Sequence, residues 1–232
     1  EDEGWYQVEA SEQQEFSHQQ SWQGYPGWIR KDQVSLVDEV PEYNSVIRSS
    51  FAEIFSAPSS SSPILFVVSG GTKFNQIGCI GRFCKVALPD KTFGWIVKNK
   101  TASLDEKRSE DDLRKNGVRA ARLFLKTPYL WGGRSFPMPS LEGMATGVDC
   151  SGLVNLAYRI SGIDIARDAH EQWMLSEPVA ADQLKPGDLI FISKPSDFTS
   201  IRHVMLFLGG ENFIEAPGTG QAVCVRHFKT KF

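Results

Sequence analysis

The stretch Asp149-Cys150-Ser151-Gly152-Leu153-Val154-Asn155-Leu156-Ala157-Tyr158-Arg159-Ile160-Ser161-Gly162 decides how the second half of the chain reads. Leu153, Leu156, Ala157 and Ile160 recur at helical spacing, and Gly162 ends the run. An amphipathic helix therefore begins at Cys150. In its first turn the backbone N–H groups lack helical acceptors and the dipole is positive, which favours a thiolate. Gly152 leaves room there for a substrate backbone. Cys150 is thus a candidate nucleophile; the plain alternative is a buried, inert cysteine.

A nucleophilic cysteine needs a base, and the base needs orienting. The chain has four histidines. His18 falls in a polar stretch and reads as a solvated loop residue, and His170 and His227 read as surface residues. His203 opens an apolar strand, His203-Val-Met-Leu-Phe-Leu208, that ends in Gly209-Gly210. The returning strand is Asn212-Phe-Ile-Glu-Ala216. Glu215 stands among apolar residues, where an unpaired carboxylate is costly, so it calls for a partner. A hairpin turning at Gly209–Asn212 lets that carboxylate orient the imidazole; the alternative is an edge-strand Glu facing water.

Upstream of the cysteine, Ser109-Glu-Asp-Asp112 reads as a helix start, with Leu113, Ala120, Ala121, Phe124 and Leu125 as its apolar face and Pro128 as its end. Tyr129-Leu-Trp-Gly-Gly133 suits a tight loop. The Pro/Gly-rich segment 135–147 has no helical or strand period and is either a lid over a site or an ornament.

The first half carries an internal repeat. Trp5-Tyr-Gln-Val8 and Phe83-Cys-Lys-Val86 are each followed by a turn-rich gap and then by Gly-Trp-Ile, at 27–29 and 94–96. Short alternating runs with Gly/Pro punctuation suit small β-barrels; chance and a simple β-arm are the alternatives. The second copy has a front half from Val46 onward that the first copy lacks. On this reading the chain opens in mid-domain, and any leader peptide would lie upstream.

With 232 residues, 41% hydrophobic and 23% charged, the chain is long enough for a sizeable core and is neither disordered nor fibrous. The longest apolar runs, Ile64–Val68 and Val204–Leu208, fall far short of the ~20 residues of a membrane helix. Net charge is −3; residues 1–103 hold 9 Lys/Arg and 12 Asp/Glu, and the remainder holds 16 of each. No basic block points to nucleic acid. Four cysteines do not make a disulfide scaffold, Cys79 and Cys84 read as strand residues, and Cys224 reads as core. No metal or cofactor motif is present.

The pieces together resemble a known family. "PYLWGG" (128–133), "DCSGLV" (149–154), "ARDAHEQ" (166–172), "LKPGDLIFI" (184–192) and "HVMLFLGGENFIEA" (203–216) resemble the NlpC/p60 papain-like cysteine peptidases of bacterial cell-wall metabolism. The Gly-Trp blocks resemble bacterial SH3-like (SH3b) domains. The implied fold is α+β: a partial SH3b-like unit over 1–40, a second over 41–103, and a papain-like catalytic domain over 104–232.

The resemblance also implies roles. Cys150 is the nucleophile, His203 the general base and acid, and Glu215 the third polar residue, where the family usually has His, sometimes Asn or Gln. Tyr129 lies near the oxyanion and Trp131 forms a pocket wall. Asp149, Ser151 and Asp168 bind substrate, with an N-terminal amine held in an acidic pocket. Ala169 replaces a Ser that the subgroup often has. The implied reaction is hydrolysis of the γ-D-glutamyl–diamino acid bond of peptidoglycan stem peptides or the free murein tripeptide, by a monomer that uses no cofactor, nucleic acid or membrane. The location would be cytoplasmic for a recycling enzyme, or else the cell envelope or secreted. A catalytically weak wall-peptide binding protein and an amidase or acyltransferase on the same scaffold are the alternatives.

Overall fold

The computed structural model describes residues 3–39, 42–137 and 146–231. The expected boundary at 40/41 and residues 138–145 of the insertion lie outside them.

The chain opens with a two-stranded antiparallel sheet, β1 (Trp5–Glu15) and β2 (Gln23–Arg30). There follow β3 (Ser45–Ile47), β4 (Phe51–Phe55), β5 (Ile64–Ser69), β6 (Lys73–Phe74), β7 (Gln76–Ile80), β8 (Phe83–Ala87), β9 (Phe93–Val97) and β10 (Thr101–Ser103). They form a five-stranded sheet in the order β5-β4-β9-β8-β7 and a three-stranded sheet in the order β10-β3-β6. Ile47, Ala52, Ile54, Phe74, Cys84, Val86 and Ile96 make the core between them. This strand-rich region is consistent with SH3-like units.

The sequence repeat is the same hairpin built twice. In β1–β2, Gln7 faces Trp28 and Val8 faces Gly27. In β8–β9, Lys85 faces Trp95 and Val86 faces Gly94. Equivalent residues of the two blocks pair in one register, as the period-2 pattern of each strand requires.

Cys79 and Cys84 are strand residues, as read, and they also pair. They are opposite each other in β7–β8 and form a disulfide, so only Cys150 and Cys224 are free thiols. Two strand residues facing each other across a two-residue turn bring their Cβ atoms within reach, which reading each strand separately does not reveal.

The second half supplies α1 (Glu110–Arg122), α2 (Cys150–Ile160) and α3 (Ala169–Met174), then β11 (Leu189–Lys194), β12 (Asp197–Gly209), β13 (Asn212–Glu215) and β14 (Cys224–His227), which pair in sequence order, and a short α4 (Phe228–Lys231). Ser109 caps α1, its side chain accepting from the Asp112 N–H, and the acids that follow suit the positive helix end. Leu153, Val154, Leu156, Ala157 and Ile160 of α2 pack with Phe124 and Phe136 against Val204, Leu206 and Ile214 of the sheet. Phe124 and Phe136 stack at 3.8 Å. Truncating a fully buried residue of this cluster, such as Leu153, should cost about 2–5 kcal/mol.

Arg159 ties the units together from α2. Its Nε donates to the Gly71 carbonyl at 2.6 Å, Nη1 to Asp164 at 2.8 Å and Nη2 to Glu12 of β1 at 2.5 Å. Arg159, 6% exposed as a residue, thereby holds the first hairpin and the second unit against the helix that begins with Cys150.

Candidate active site

Asp149 starts the site. It is the N-cap of α2, and its Oδ1 accepts from the Gly152 N–H at 2.6 Å. The first regular helical bond runs from the Leu153 N–H to the Asp149 carbonyl at 3.0 Å, so the Cys150 and Ser151 amides precede the helical ladder. Gly152 is needed for close approach: a Cβ there would lie 2.3 Å from the Gly133 carbonyl oxygen. The loop 129–133, tight as its paired glycines suggest, thus packs directly over the first turn of the helix.

β12 presents His203. The strand begins at Asp197, so His203 lies within it and does not open it, which corrects the sequence reading. It faces Ile192, and the register with β11 slips immediately after, between Ile192 and Ser193. Such an irregularity re-aims a side chain and is found beside active sites. His203 Nε2 lies 2.6 Å from Glu215 Oε2. That leaves Nδ1 as the ring nitrogen for the Cys150 thiol. Burial pushes the His203 imidazole down, but hydrogen bonding and charge from Cys150 and Glu215 outweigh it and raise it to about 8. Glu215 is fully buried.

Tyr129 stands beside Cys150; burial, then the charges of Cys150 and Asp149, push its phenol up. Trp131 is 85% exposed and packs into no core. Cys150, His203, Glu215 and Tyr129 are therefore brought together, and Trp131 projects from the same loop into solvent.

Asp149 and Ser151 are drawn inward. The two Asp149 oxygens accept five hydrogen bonds, from Gly132, Gly152, Ser151 and both Nη groups of Arg167. Ser151 Oγ accepts from Arg167 at 3.0 Å and is itself buried. Gln172 donates to the Ser151 and Ala166 carbonyls and locks the same loop. Asp168 keeps an open face, with 40% of its side chain exposed. Its carboxyl is pushed up by burial, although Arg167 pulls the other way.

The first hairpin reaches this corner. Tyr25 of β2 donates its hydroxyl to Asp168 Oδ2 at 3.1 Å. Burial, then Asp168, raises the Tyr25 phenol to about 12, so it stays protonated as a donor. The Arg167 N–H donates to the Gln14 carbonyl at 3.0 Å, and Ser17 bonds to the buried Glu171. His18 lies in a turn with half its side chain exposed, as read, and there it pairs with Glu15 at 2.8 Å and sits edge-on to Tyr25. His227 pairs with Glu211 at 2.7 Å and His170 packs on Trp173.

Tyr25, Arg167 and Arg226 are the site residues that sequence reasoning missed. Tyr25 sits in the Gly-Tyr-Pro-Gly-Trp block and Arg167 in "ARDAHEQ", so the motifs contained them. Their contacts depend on how separate units dock. Arg226 Nε lies 2.8 Å from Glu215 Oε1. Among the described residues no group of three or more His, Cys, Asp and Glu could hold a metal ion.

A model described as the NlpC/P60 family matches residues 126–232. A gamma-D-glutamyl-L-lysine dipeptidyl-peptidase of Bacillus cereus is 28% identical over 209 residues, covering 87% of this chain and 59% of that protein. A Bacillus subtilis protein of the same name is 28% identical over 203 residues, covering 86% of this chain and 62% of that one. The chain thus spans about three fifths of the length of these two relatives. Among solved structures, an NlpC/P60 family protein from Bacillus cereus has a TM-score of 0.80 and 26% identity over 100% of this chain and 73% of its own. Residues 126–232 of this chain, a little under half of it, accordingly match an NlpC/P60 family domain.

Proposed function

We propose that the chain is a cysteine peptidase that hydrolyses the bond between γ-D-glutamate and a diamino acid in peptidoglycan stem peptides bearing a free N-terminal L-alanine. The observation that carries this reading is the line Cys150–His203–Glu215: a thiol at a helix start, an imidazole beside it, and a buried carboxylate 2.6 Å from the second ring nitrogen.

In this mechanism the Cys150 thiolate attacks the γ-glutamyl carbonyl. The Cys150 N–H and the Tyr129 hydroxyl stabilise the oxyanion. His203 gives its proton to the leaving amine, then takes one from the water that releases the acyl-enzyme. Glu215 holds the ring and favours the imidazolium.

The free amine is assigned to Asp168, helped by Tyr25. Asp149 and Ser151, whose polar atoms serve Arg167 and the helix start, act by holding the pocket's shape. Trp131 offers an exposed ring to the rest of the peptide. The first hairpin closes one side of the cleft, which favours small peptides with a free end over glycan-attached ones. The intact His203–Glu215 contact supports an enzyme over a binding protein with a decayed triad. The Bacillus relatives, whose names specify L-lysine, support a diamino acid on the leaving side.

We assign the chain to the cell envelope and not to the cytoplasm. The Cys79–Cys84 disulfide supports this, because such bonds persist in oxidising compartments.

Comparison of L-Ala-γ-D-Glu-meso-diaminopimelate with its N-acetylated form tests the substrate assignment. Cleavage of the free tripeptide with strong loss on acetylation is expected; equal cleavage of both would remove the amine pocket from the account.

A further inference from the structure

Three strands carry a diagonal of charge through the site. Leu206 faces Ile214, which sets Glu215 two residues out of register with His203 on a shared face. Glu215 faces Cys224 and Phe213 faces Arg226, so Arg226 is the diagonal neighbour of Glu215 on its other side. Arg226 Nε lies 2.8 Å from Oε1, whereas His203 uses Oε2. This contact is close in distance but outside hydrogen-bond geometry, so it acts through charge. Nη2 of the same guanidinium donates to Gln221 Oε1 at 3.1 Å, which fixes it to the loop before β14.

We propose that Arg226 is a positioning residue of the active site: it holds Glu215 by one carboxylate oxygen so that the other stays on His203, and its charge makes an acid workable at this place. This inference rests on His203 being the catalytic base.

The physical need is specific to an acid in this position. A fully buried carboxylate requires a compensating cation. His203 supplies one only while it is protonated, and it loses that proton each time it protonates the leaving amine. At that point Arg226 is a fixed cation beside Glu215. Arg226 also lies on the far side of the carboxylate from the imidazole, so it draws part of the negative charge away from His203. The titratable and charged groups along this line are Tyr129 and Cys150 on one side of His203, and Glu215 and Arg226 on the other.

The test is the pH dependence of Cys150 alkylation by iodoacetamide, read by peptide mass spectrometry without substrate. Its upper step follows loss of the His203 proton. Arg226→Gln should move that step up by about half a unit to one unit, because Glu215 then bears on His203 undivided. Arg226→Lys should lie closer to wild type. In a Glu215→Gln background, Arg226→Gln should have no further effect. Arg226→Leu, uncharged at the same strand position, carries the same expectation as Gln if that variant folds poorly.

An unmoved step in both Gln and Leu variants, or an equal shift in the Glu215→Gln background, would overturn the proposal. On the tripeptide, kcat should fall about tenfold with KM unchanged, part of the ~10²–10⁴ that general acid–base catalysis supplies. A wrong substrate assignment would leave the alkylation result intact, so the two failures are distinguishable.

Discussion

His203 Nε2 and Glu215 Oε2 lie 2.6 Å apart, on adjacent antiparallel strands and two residues out of register with each other. Against the lowering effect of burial, Cys150 and then Glu215 favour the imidazolium, and the ring is raised from 6.5 to about 8. A group raised on folding stabilises the fold fully below its unfolded value and loses that contribution as pH rises through the folded value. The window here is about 6.5 to 8. Glu215→Gln should shrink the loss of thermal stability across that window and move the alkaline limb of kcat/KM to lower pH. Melting curves at pH 6 and 9, with a pH–rate profile, check both.

The thiols should separate cleanly. With Cys79 and Cys84 joined, iodoacetamide without reductant should label Cys150 fast and Cys224 slowly. Labelling at all four positions should appear only after reduction and unfolding. Equal rates at Cys150 and Cys224 would remove the case for an activated nucleophile.

Asp168→Asn and Tyr25→Phe should act on binding. Each should raise KM for a peptide with a free N-terminal amine, by about tenfold for Asp168→Asn, since hydrogen bonds to charged groups contribute about 1.5–3 kcal/mol. kcat should change little, and the residual cleavage of an N-acetylated peptide should not respond. Steady-state kinetics on the two peptides separates these outcomes.

Arg167 and Asp149 form a two-pronged ion pair buried beneath the nucleophile's helix. Arg167→Met leaves that carboxylate without its cation and should destabilise the protein by about 3–5 kcal/mol. Urea denaturation measures it. A loss under 1 kcal/mol would show that the helix cap alone keeps Asp149 in place.

Legibility in the sequence followed how local each feature is. The α2 start at Cys150 and the Ser109 cap rest on nearest-neighbour patterns and are present as read, and the two repeated blocks prove to be strands of equivalent hairpins. His203 was legible as a strand residue but not as a mid-strand one, because the extension back to Asp197 depends on pairing with β11. The Cys79–Cys84 bond needed the β7–β8 register. Arg226 needed the β13–β14 register across a loop containing Gly218 and Gly220, and Tyr25 needed the docking of the first hairpin on Asp168. Asp149 looked like a free acid because nothing local to it reveals that Arg167, well downstream, closes on it.

The most direct measurement is the mass spectrum of L-Ala-γ-D-Glu-meso-diaminopimelate after incubation with wild type and with Cys150→Ala. Wild type should release L-Ala-D-Glu and free diaminopimelate, and Cys150→Ala should leave the tripeptide intact. Cleavage by both proteins at equal rates, or by neither, would contradict the account.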